Sequence, residues 1–461
     1  MTENNDTIAA IATPLGNSGI GIIRISGSEA IKKADELIRS RSGKSLDLIL
    51  MRSHTVHYGY VTDNGSIIDE VLCTVFKAPR SFTAEDTVEI NCHGGMYVLN
   101  KVLSLLLSKG VRLAEPGEFT KRAFLNGRID LSQAESVMDI ISSENEFSRK
   151  NSVLQLEGSV RNKVTGLRES IIHETAFIEA ALDDPEHYDL DKGYRSRLRG
   201  IVFEISKEIS EILDNSEKAA YLKSGIDTAI AGKPNVGKSS LLNLLSGYER
   251  AIVTSVPGTT RDIITEKVIF DDIILNIEDT AGIRKSFDEV ERIGIKRAQD
   301  EIQKAELVLF MLDSSEYIDD EDKIIAEMLC NKKCIVILNK TDKGSVISIK
   351  DVNNLMDSPV IEMSVREKTG IDELKAKIKE LFIKDEIRND VLYITNKRQI
   401  ELFKSALRSL QMVIDSIDKE MSEDVYTVDL MDAYSYLGEI IGEDISDDLT
   451  DRIFSEFCMG K

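Results

Sequence analysis

Residues 232 to 239 read Gly-Lys-Pro-Asn-Val-Gly-Lys-Ser, and this octapeptide restricts the fold more than any other part of the chain. Glycines at that spacing let a loop of backbone N–H groups wrap a polyphosphate, an arrangement that needs a buried strand leading in and a helix leading out. Both flanks comply: residues 226–231 form an apolar run suited to a strand, and residues 240–245 begin a helix with an apolar face. The reading is an α/β domain with a P-loop, in which Lys238 reaches the β- and γ-phosphates and the Ser239 hydroxyl holds Mg²⁺. The N-terminus of the following helix adds its positive dipole end.

Later motifs select the base. Asp279-Thr280-Ala281-Gly282 closes a second apolar run, residues 273–278, which puts a carboxylate and a close-approaching glycine at the strand end where such sheets bind ligands. Asp279 is expected to meet Mg²⁺ through water, and the Gly282 N–H to approach the γ-phosphate. Asn339-Lys340-Thr-Asp342 follows the apolar residues 334–338, so that Asp342 can accept both the N1–H and N2–H₂ donors of guanine. Adenine has no such donor pair, and a site built on paired hydrogen bonds rejects the wrong partner by about 10⁴ or more. Ser364-Val-Arg366, after residues 360–363, resembles the last guanine-contacting loop of GTPases, with Val365 where alanine is usual.

Between the first two elements, residues 254–262 read Thr-Ser-Val-Pro-Gly-Thr-Thr-Arg-Asp, small and rich in hydroxyls as a segment folding over the γ-phosphate should be. Thr254, Ser255, Val256, Pro257, Gly258, Thr259 and Thr260 are therefore candidate nucleotide contacts, with Thr260 as second Mg²⁺ ligand. They join Asn235, Val236, Gly237, Lys238, Ser239 and Ser240 of the first loop, Asp279 to Gly282, and Asn339, Lys340, Asp342 and Ser364. Ras-like proteins carry a catalytic glutamine directly after the glycine of the second element. This chain has Ile283 there, and an apolar side chain cannot orient water. The acidic run 288–291 downstream offers a substitute, although such a run is ordinarily a solvated helix face.

Residues 232–240, 254–262, the Asp-Thr-Ala-Gly-Ile stretch with its following helix-like segment, and the terminal Phe457-Cys-Met-Gly-Lys461 together resemble the MnmE (TrmE) family of bacterial tRNA modification GTPases. The resemblance spans essentially the whole chain. It implies hydrolysis activated by K⁺, held by Asn235 and Thr254 with the Val256 and Thr259 carbonyls, when two G domains meet. A monovalent cation there supplies the charge compensation otherwise given by an arginine finger. The resemblance further implies Glu291 as the residue that orients water, and a tetrahydrofolate derivative (5-formyl- or 5,10-methylene-) near Arg24, Glu89, Arg128 and Lys461. Cys458 is implied to be a thiol needed for modification, and an FAD-dependent MnmG-like protein to be the partner of a homodimer that modifies C5 of the wobble uridine of tRNA. A regulatory or ribosome-assembly GTPase, the competing class, shares the nucleotide motifs but has no need of Arg24, Glu89 or Cys458.

Composition bounds the rest. The 461 residues suffice for two or three domains, and 80 acidic against 58 basic residues give a net charge of −22, opposite to the footprint of a general nucleic-acid binder. Five scattered cysteines without zinc spacing suit reduced thiols in cytoplasm, and no secretory signal or run of about 20 apolar residues is present. Cys458 meets the spacing of a lipidation signal, but Gly460 and Lys461 do not meet its chemistry.

All seven prolines fall outside 117–184 and 360–461, so both stretches read as helical, with Ser132-Gln-Ala-Glu135 as a capping box. Leu402, Phe403, Leu407, Leu410, Val413, Ile414 and Ile417 make a core-facing stripe on a later helix. The expected organisation is an N-terminal α+β domain over 1–118, a helical domain in two parts over 119–215 and 386–461, and a Ras-like G domain over 216–385 inserted between them. Asp63-Asn-Gly65 marks a hairpin in the first domain. Gly16, Gly19 and Gly21 precede a strand rather than a helix, which excludes a second nucleotide loop there, and His93 in a Gly-rich turn is assigned a structural role. Replacing K⁺ by Na⁺ is expected to slow phosphate release from GTP at least about tenfold at nearly constant GTP affinity, since an arginine in that role is worth about 10³ or more. An unchanged rate removes the potassium assignment.

Overall fold

The structure is a computed structural model and describes residues 6–184, 192–247, 265–270, 273–278, 302–382, 391–443, 445–455, 457 and 460. They fall into two compact units, one formed by Met1–Met138, Gln155–Ala176 and Tyr434–Lys461, the other by Asp139–Leu154 and Phe177–Ala433.

The first unit is built on a seven-stranded sheet of order β3-β4-β5-β6-β2-β1-β7. Its strands are β1 (Ile8–Ile11), β2 (Gly21–Ser26), β3 (Ile38–Arg39), β4 (Thr55–Asp63), β5 (Ser66–Phe76), β6 (Thr87–Cys92) and β7 (Arg112–Leu113). Period-2 alternation sends Ile23, Ile25, Val71, Cys73, Val75, Val88, Ile90 and Cys92 into one core, where helices α1 (Ala30–Leu37) and α2 (Met96–Ser108) cover them. Burial pushes the Cys73 and Cys92 thiols up to about 12, as suits inert reduced cysteines. The expected hairpin is present and longer than its apolar cores suggest. Asn64 (φ 48°) and Gly65 (φ 84°) form the left-handed pair that a two-residue turn requires. Gly16 and Gly19 do lead into a strand. His93 closes its turn by donating its N–H to Asp69 Oδ2 at 2.8 Å, with its ring Nδ1 2.6 Å from Oδ1.

Helices fill the proline-free stretch after this sheet: α3 (Glu118–Leu125), α4 (Leu131–Ile141), α5 (Glu146–Leu156) and α6 (Ser159–Asp183), followed by α7 (Lys192–Ser224). The capping box at α4 is shifted by two residues from its expected place. Asp130 Oδ1 accepts from the Gln133 N–H at 2.9 Å while Gln133 Oε1 accepts from the Asp130 N–H at 3.0 Å. Ser132 lies inside the helix and donates its hydroxyl to Asp130. Leu131 and Ala134, three apart, must share a buried face, so the helix has to start before Ser132.

In the second unit a six-stranded sheet runs β13-β12-β11-β8-β10-β9, with β8 (Ile226–Ala231), β9 (Thr265–Phe270), β10 (Ile273–Glu278), β11 (Leu307–Asp313), β12 (Lys333–Asn339) and β13 (Val360–Glu362). All seven residues of β11 are buried, the unbroken pattern expected of a strand covered on both faces. Helices α8 (Lys238–Ser246), α9 (Asp320–Leu329), α10 (Ile349–Leu355) and α11 (Ile371–Phe382) accompany this sheet. After it in the chain come α12 (Lys397–Asp418), α13 (Glu423–Ile441) and α14 (Asp447–Ser455), with the residues from Tyr434 onward belonging to the first unit. The predicted stripe on α12 is inward-facing, with Phe403, Leu410 and Val413 fully buried, and α12 packs along α7. A helix that precedes the sheet in the chain thus packs on one that follows it, which makes the nucleotide module an insertion into a helical domain.

Asp130→Ala is expected to cost about 1 kcal/mol through loss of the α4 cap, read as a lower melting temperature, and Ser132→Ala less. A larger loss from Ser132→Ala contradicts the shifted cap.

Candidate nucleotide site

Strand β8 lies between β10 and β11, its parallel neighbours on either side, so the strand order reverses at its C-terminal end. Open α/β sheets bind ligands at that point. The loop leaving β8 turns through Gly232 (φ 142°), Asn235 (φ 65°) and Gly237 (φ 111°), conformations that favour glycine and tolerate asparagine. A Cβ on Gly232 would stand 2.5 Å from the Met311 carbonyl oxygen, and one on Gly237 would collide with the Asn339 amide. Both glycines are therefore imposed by packing against β11 and β12 as well as by the loop's shape. Helix α8 starts directly at Lys238, leaving its first-turn N–H groups at the loop.

Lys238 Nζ donates to its own loop, to the Gly232 carbonyl at 2.6 Å and the Lys233 carbonyl at 2.8 Å. Burial pushes this ammonium below the ordinary lysine range, and no carboxylate pairs with it among the described residues, so a phosphate is a fitting counter-charge. Ser239 and Ser240 are exposed on the first turn of α8. A hydroxyl beside a phosphate is a fitting Mg²⁺ ligand, because the metal in such sites takes its remaining oxygens from phosphate and water.

Asn339, 3% exposed at the end of β12, ties three loops together. Its Nδ2 donates to the Val236 carbonyl at 2.8 Å, and its Oδ1 accepts from the Val365 N–H at 3.1 Å. Lys340 follows with φ 66° and directs its ammonium to Asp313. Asp342 Oδ1 accepts from the Ser364 hydroxyl at 2.7 Å, and this bond, opposed by desolvation, holds the carboxyl below the usual carboxylate range. Asn235, Gly237, Ser240, Asn339, Lys340, Asp342 and Val365 border one cavity of about 640 Å³. The first loop and the two base-reading loops predicted from sequence are thus brought to one place. Thr254 to Thr260, Asp279 to Gly282 and Glu291 lie outside the described residues.

Residues not singled out in the sequence also border the cavity: Asn243, Leu244 and Gly247 on the α8 side, and Lys343 and Lys368 on the base side. Asp313 was open to detection, since it closes the apolar run of β11 as Asp279 closes that of β10. For Lys233, held by Asp319 and Asp322, no local signal exists.

The first unit carries a second constellation. Arg24 and Glu89 face each other across the β2–β6 ladder and pair at 2.9 Å. The Arg24 guanidinium lies 5.4 Å from the Phe82 ring centre and 5.6 Å from that of Phe119. Arg128 lies 5.0 Å from the same Phe82 ring and donates to the Phe82 carbonyl at 2.7 Å. The chain end returns here: Arg24 Nη1 donates to the Gly460 carbonyl at 3.4 Å, and Gly460 (φ 85°) packs so closely on Ile11 and Ala12 that a side chain would not fit. Cys458 and Lys461, on either side of Gly460, lie outside the described residues. Phe82 was missed by sequence reading, as a lone aromatic in a loop carries no pattern.

Sheet order, P-loop geometry and the base-reading pair Asp342–Ser364 define a guanine-nucleotide P-loop GTPase. Family models locate it more closely. One described as GTP-binding protein TrmE N-terminus matches residues 7–128, and one described as MnmE helical domain matches residues 131–458. The tRNA modification GTPase MnmE of Lachnoclostridium phytofermentans is 51% identical over 457 residues, covering 99% of both chains. That of Acetivibrio thermocellus is 46% identical over 460 residues, also covering 99% of both. Among solved structures, Aquifex aeolicus Era bound to GDP and AlF₄⁻ is 27% identical, covering 41% of this chain and 67% of that one with a TM-score of 0.27. The chain belongs to the MnmE family of tRNA modification GTPases.

Asp342→Asn is expected to weaken GTP binding at least about 100-fold and to favour xanthosine triphosphate, because the free edge exchanges an acceptor for a donor. The amide oxygen can keep the Ser364 hydrogen bond, which confines the loss to base recognition. Unchanged guanine selectivity in a competition titration contradicts the assignment.

Proposed function

We propose that this chain is a K⁺-activated GTPase that acts with an FAD-dependent, MnmG-like partner. Together they install a carboxymethylaminomethyl-type group at C5 of the wobble uridine, U34, of certain tRNAs, in the cytoplasm. Family membership supports GTP hydrolysis in tRNA modification, and the cavity beside the P-loop supports guanine nucleotide as its ligand. No helix among the described residues is long and apolar enough to cross a membrane.

The observation that carries the folate part is the Arg24–Glu89–Arg128 cluster around Phe82, with Gly460 of the chain end at its rim. Its chemistry fits a tetrahydrofolate derivative: a carboxylate accepts from the donors of a pterin, aromatic rings stack on it, and guanidinium groups take the anionic glutamate tail. In this reading Arg24, Glu89, Arg128 and Lys461 hold and orient the folate, and Cys458 stands beside it. The bound folate supplies a one-carbon unit.

In the G domain, placed at residues 216–385, Lys238 and the α8 N-terminus bind the phosphates, Ser239 and Thr260 hold Mg²⁺, and Asp342 with Ser364 orients the base. Asn235, Thr254 and the Val256 and Thr259 carbonyls hold K⁺ when two copies pair, and Glu291 positions water. Hydrolysis then drives opening and closing of the paired G domains rather than the carbon chemistry. The folate and dimerisation domain is placed at 1–118 and the helical domain at 119–215 and 386–461.

Titrating the full-length protein with 5-formyltetrahydrofolate tests the reading. Arg24→Ala is expected to weaken that binding at least about tenfold, the cost of removing one partner of a half-buried charge pair, and to leave GTP affinity unchanged. A parent protein that binds no folate leaves the regulatory or ribosome-assembly GTPase as the better reading.

A further inference from the structure

We infer that residues 313–322, no side chain of which borders the nucleotide cavity, form a bridge that couples the grip on the phosphates to the grip on the base. The inference rests on Lys238 serving the phosphates and Asp342 serving guanine. At one end of the segment Asp313, 6% exposed, receives the Lys340 ammonium from the base-reading loop. Its other oxygen is fixed by the Ser315 N–H at 3.0 Å and the Ser315 hydroxyl at 2.7 Å. The next residue, Ser314, donates its N–H to the Asn339 carbonyl at 2.8 Å and accepts from the Val346 N–H at 2.7 Å.

At the other end, Asp319 and Asp322 form the capping box of α9 and at the same time hold Lys233 Nζ at 2.7 and 2.9 Å. The Asp322 side chain is 3% exposed and its Oδ1 has no hydrogen-bond partner among the described residues, so the Lys233 ammonium is the counter-charge that makes its burial tolerable. Lys233 also offers the carbonyl on which Lys238 rests. Each of the two nucleotide loops therefore contributes a lysine, and both lysines are neutralised by this one segment.

Two charge pairs anchored on one short, capped segment cannot loosen independently. Freeing Lys233 shifts the start of α9 and, through Ser314 and Asp313, the seat of Lys340. Asp313 and Lys233 are positioning residues: neither borders the cavity, Asp313 acts through Lys340, which does, and Lys233 acts through the carbonyl on which Lys238 rests.

A double-mutant cycle on the full-length protein tests this, read as the affinity for a fluorescent GDP analogue beside the melting temperature without nucleotide. Lys233→Met and Asp313→Asn are each expected to weaken binding about tenfold, and the double variant about 20- to 30-fold instead of the roughly 100-fold of independent sites. Lys233→Arg should restore most of the affinity. Multiplicative losses, or a lowered melting temperature with unchanged affinity, overturn the bridge. If Lys233→Met does not fold, Asp319→Ser keeps the helix cap and removes one arm of the clamp, and the cycle is repeated with an expected loss of about threefold. Lys238→Ala and Asp342→Asn serve as controls. If those two bind nucleotide like the parent, the site assignment fails; if they weaken binding while the bridge variants do not, the bridge alone fails.

Discussion

One buried amide holds the nucleotide site together. Asn339 spends its Nδ2 donor on the phosphate loop and its Oδ1 acceptor on the last base loop, so three segments distant in sequence share a single side chain. Leaving either of those backbone groups unpaired in a buried place costs about 1–3 kcal/mol, and the geometry of the loops follows from avoiding that cost. Gly237 has no Cβ because the Asn339 amide occupies the space beside it. The P-loop's turn is fixed by this packing, and Lys238 rests on two of its carbonyls.

Charge is managed by the same economy. The chain is strongly acidic, yet the lysines of its nucleotide loops are held by specific carboxylates, Lys340 by Asp313 and Lys233 by Asp319 and Asp322. Lys238 alone among these three lacks a carboxylate partner in the described residues, and its ammonium rests on the Gly232 and Lys233 carbonyls instead. In the N-terminal unit an analogous arrangement sets Arg24 against Glu89 on neighbouring strands, and Arg24 and Arg128 both lie against the Phe82 ring. Two guanidinium groups and one carboxylate thus gather beside the Phe82 ring, with the carboxylate paired to Arg24.

Wherever structure follows from the local period, it could be read directly. Strands β8, β10 and β12 and the helix after the P-loop lie where their apolar runs put them, and Asn64–Gly65 makes the turn that its residue types demand. The stripe on α12 faces inward as its spacing requires. The cap of α4 was misplaced because Ser132 and Glu135 satisfy a local rule that Asp130 and Gln133 satisfy as well. Only the need to bury Leu131 with Ala134 chooses between them.

The sequence by itself determined that this chain binds a guanine nucleotide on a P-loop, that the loop lies between helical stretches, and that an α+β domain precedes them. Each conclusion depends on residues within a few positions of one another, where backbone geometry leaves few choices. Tertiary structure alone decided what each charge is paired with. Lys233 meets Asp319 across 86 positions and Arg24 meets Gly460 across 436. No periodicity marks such pairs, because they are selected by the packing of whole elements and the cost of leaving a charge or a backbone carbonyl unmatched once that packing has excluded water.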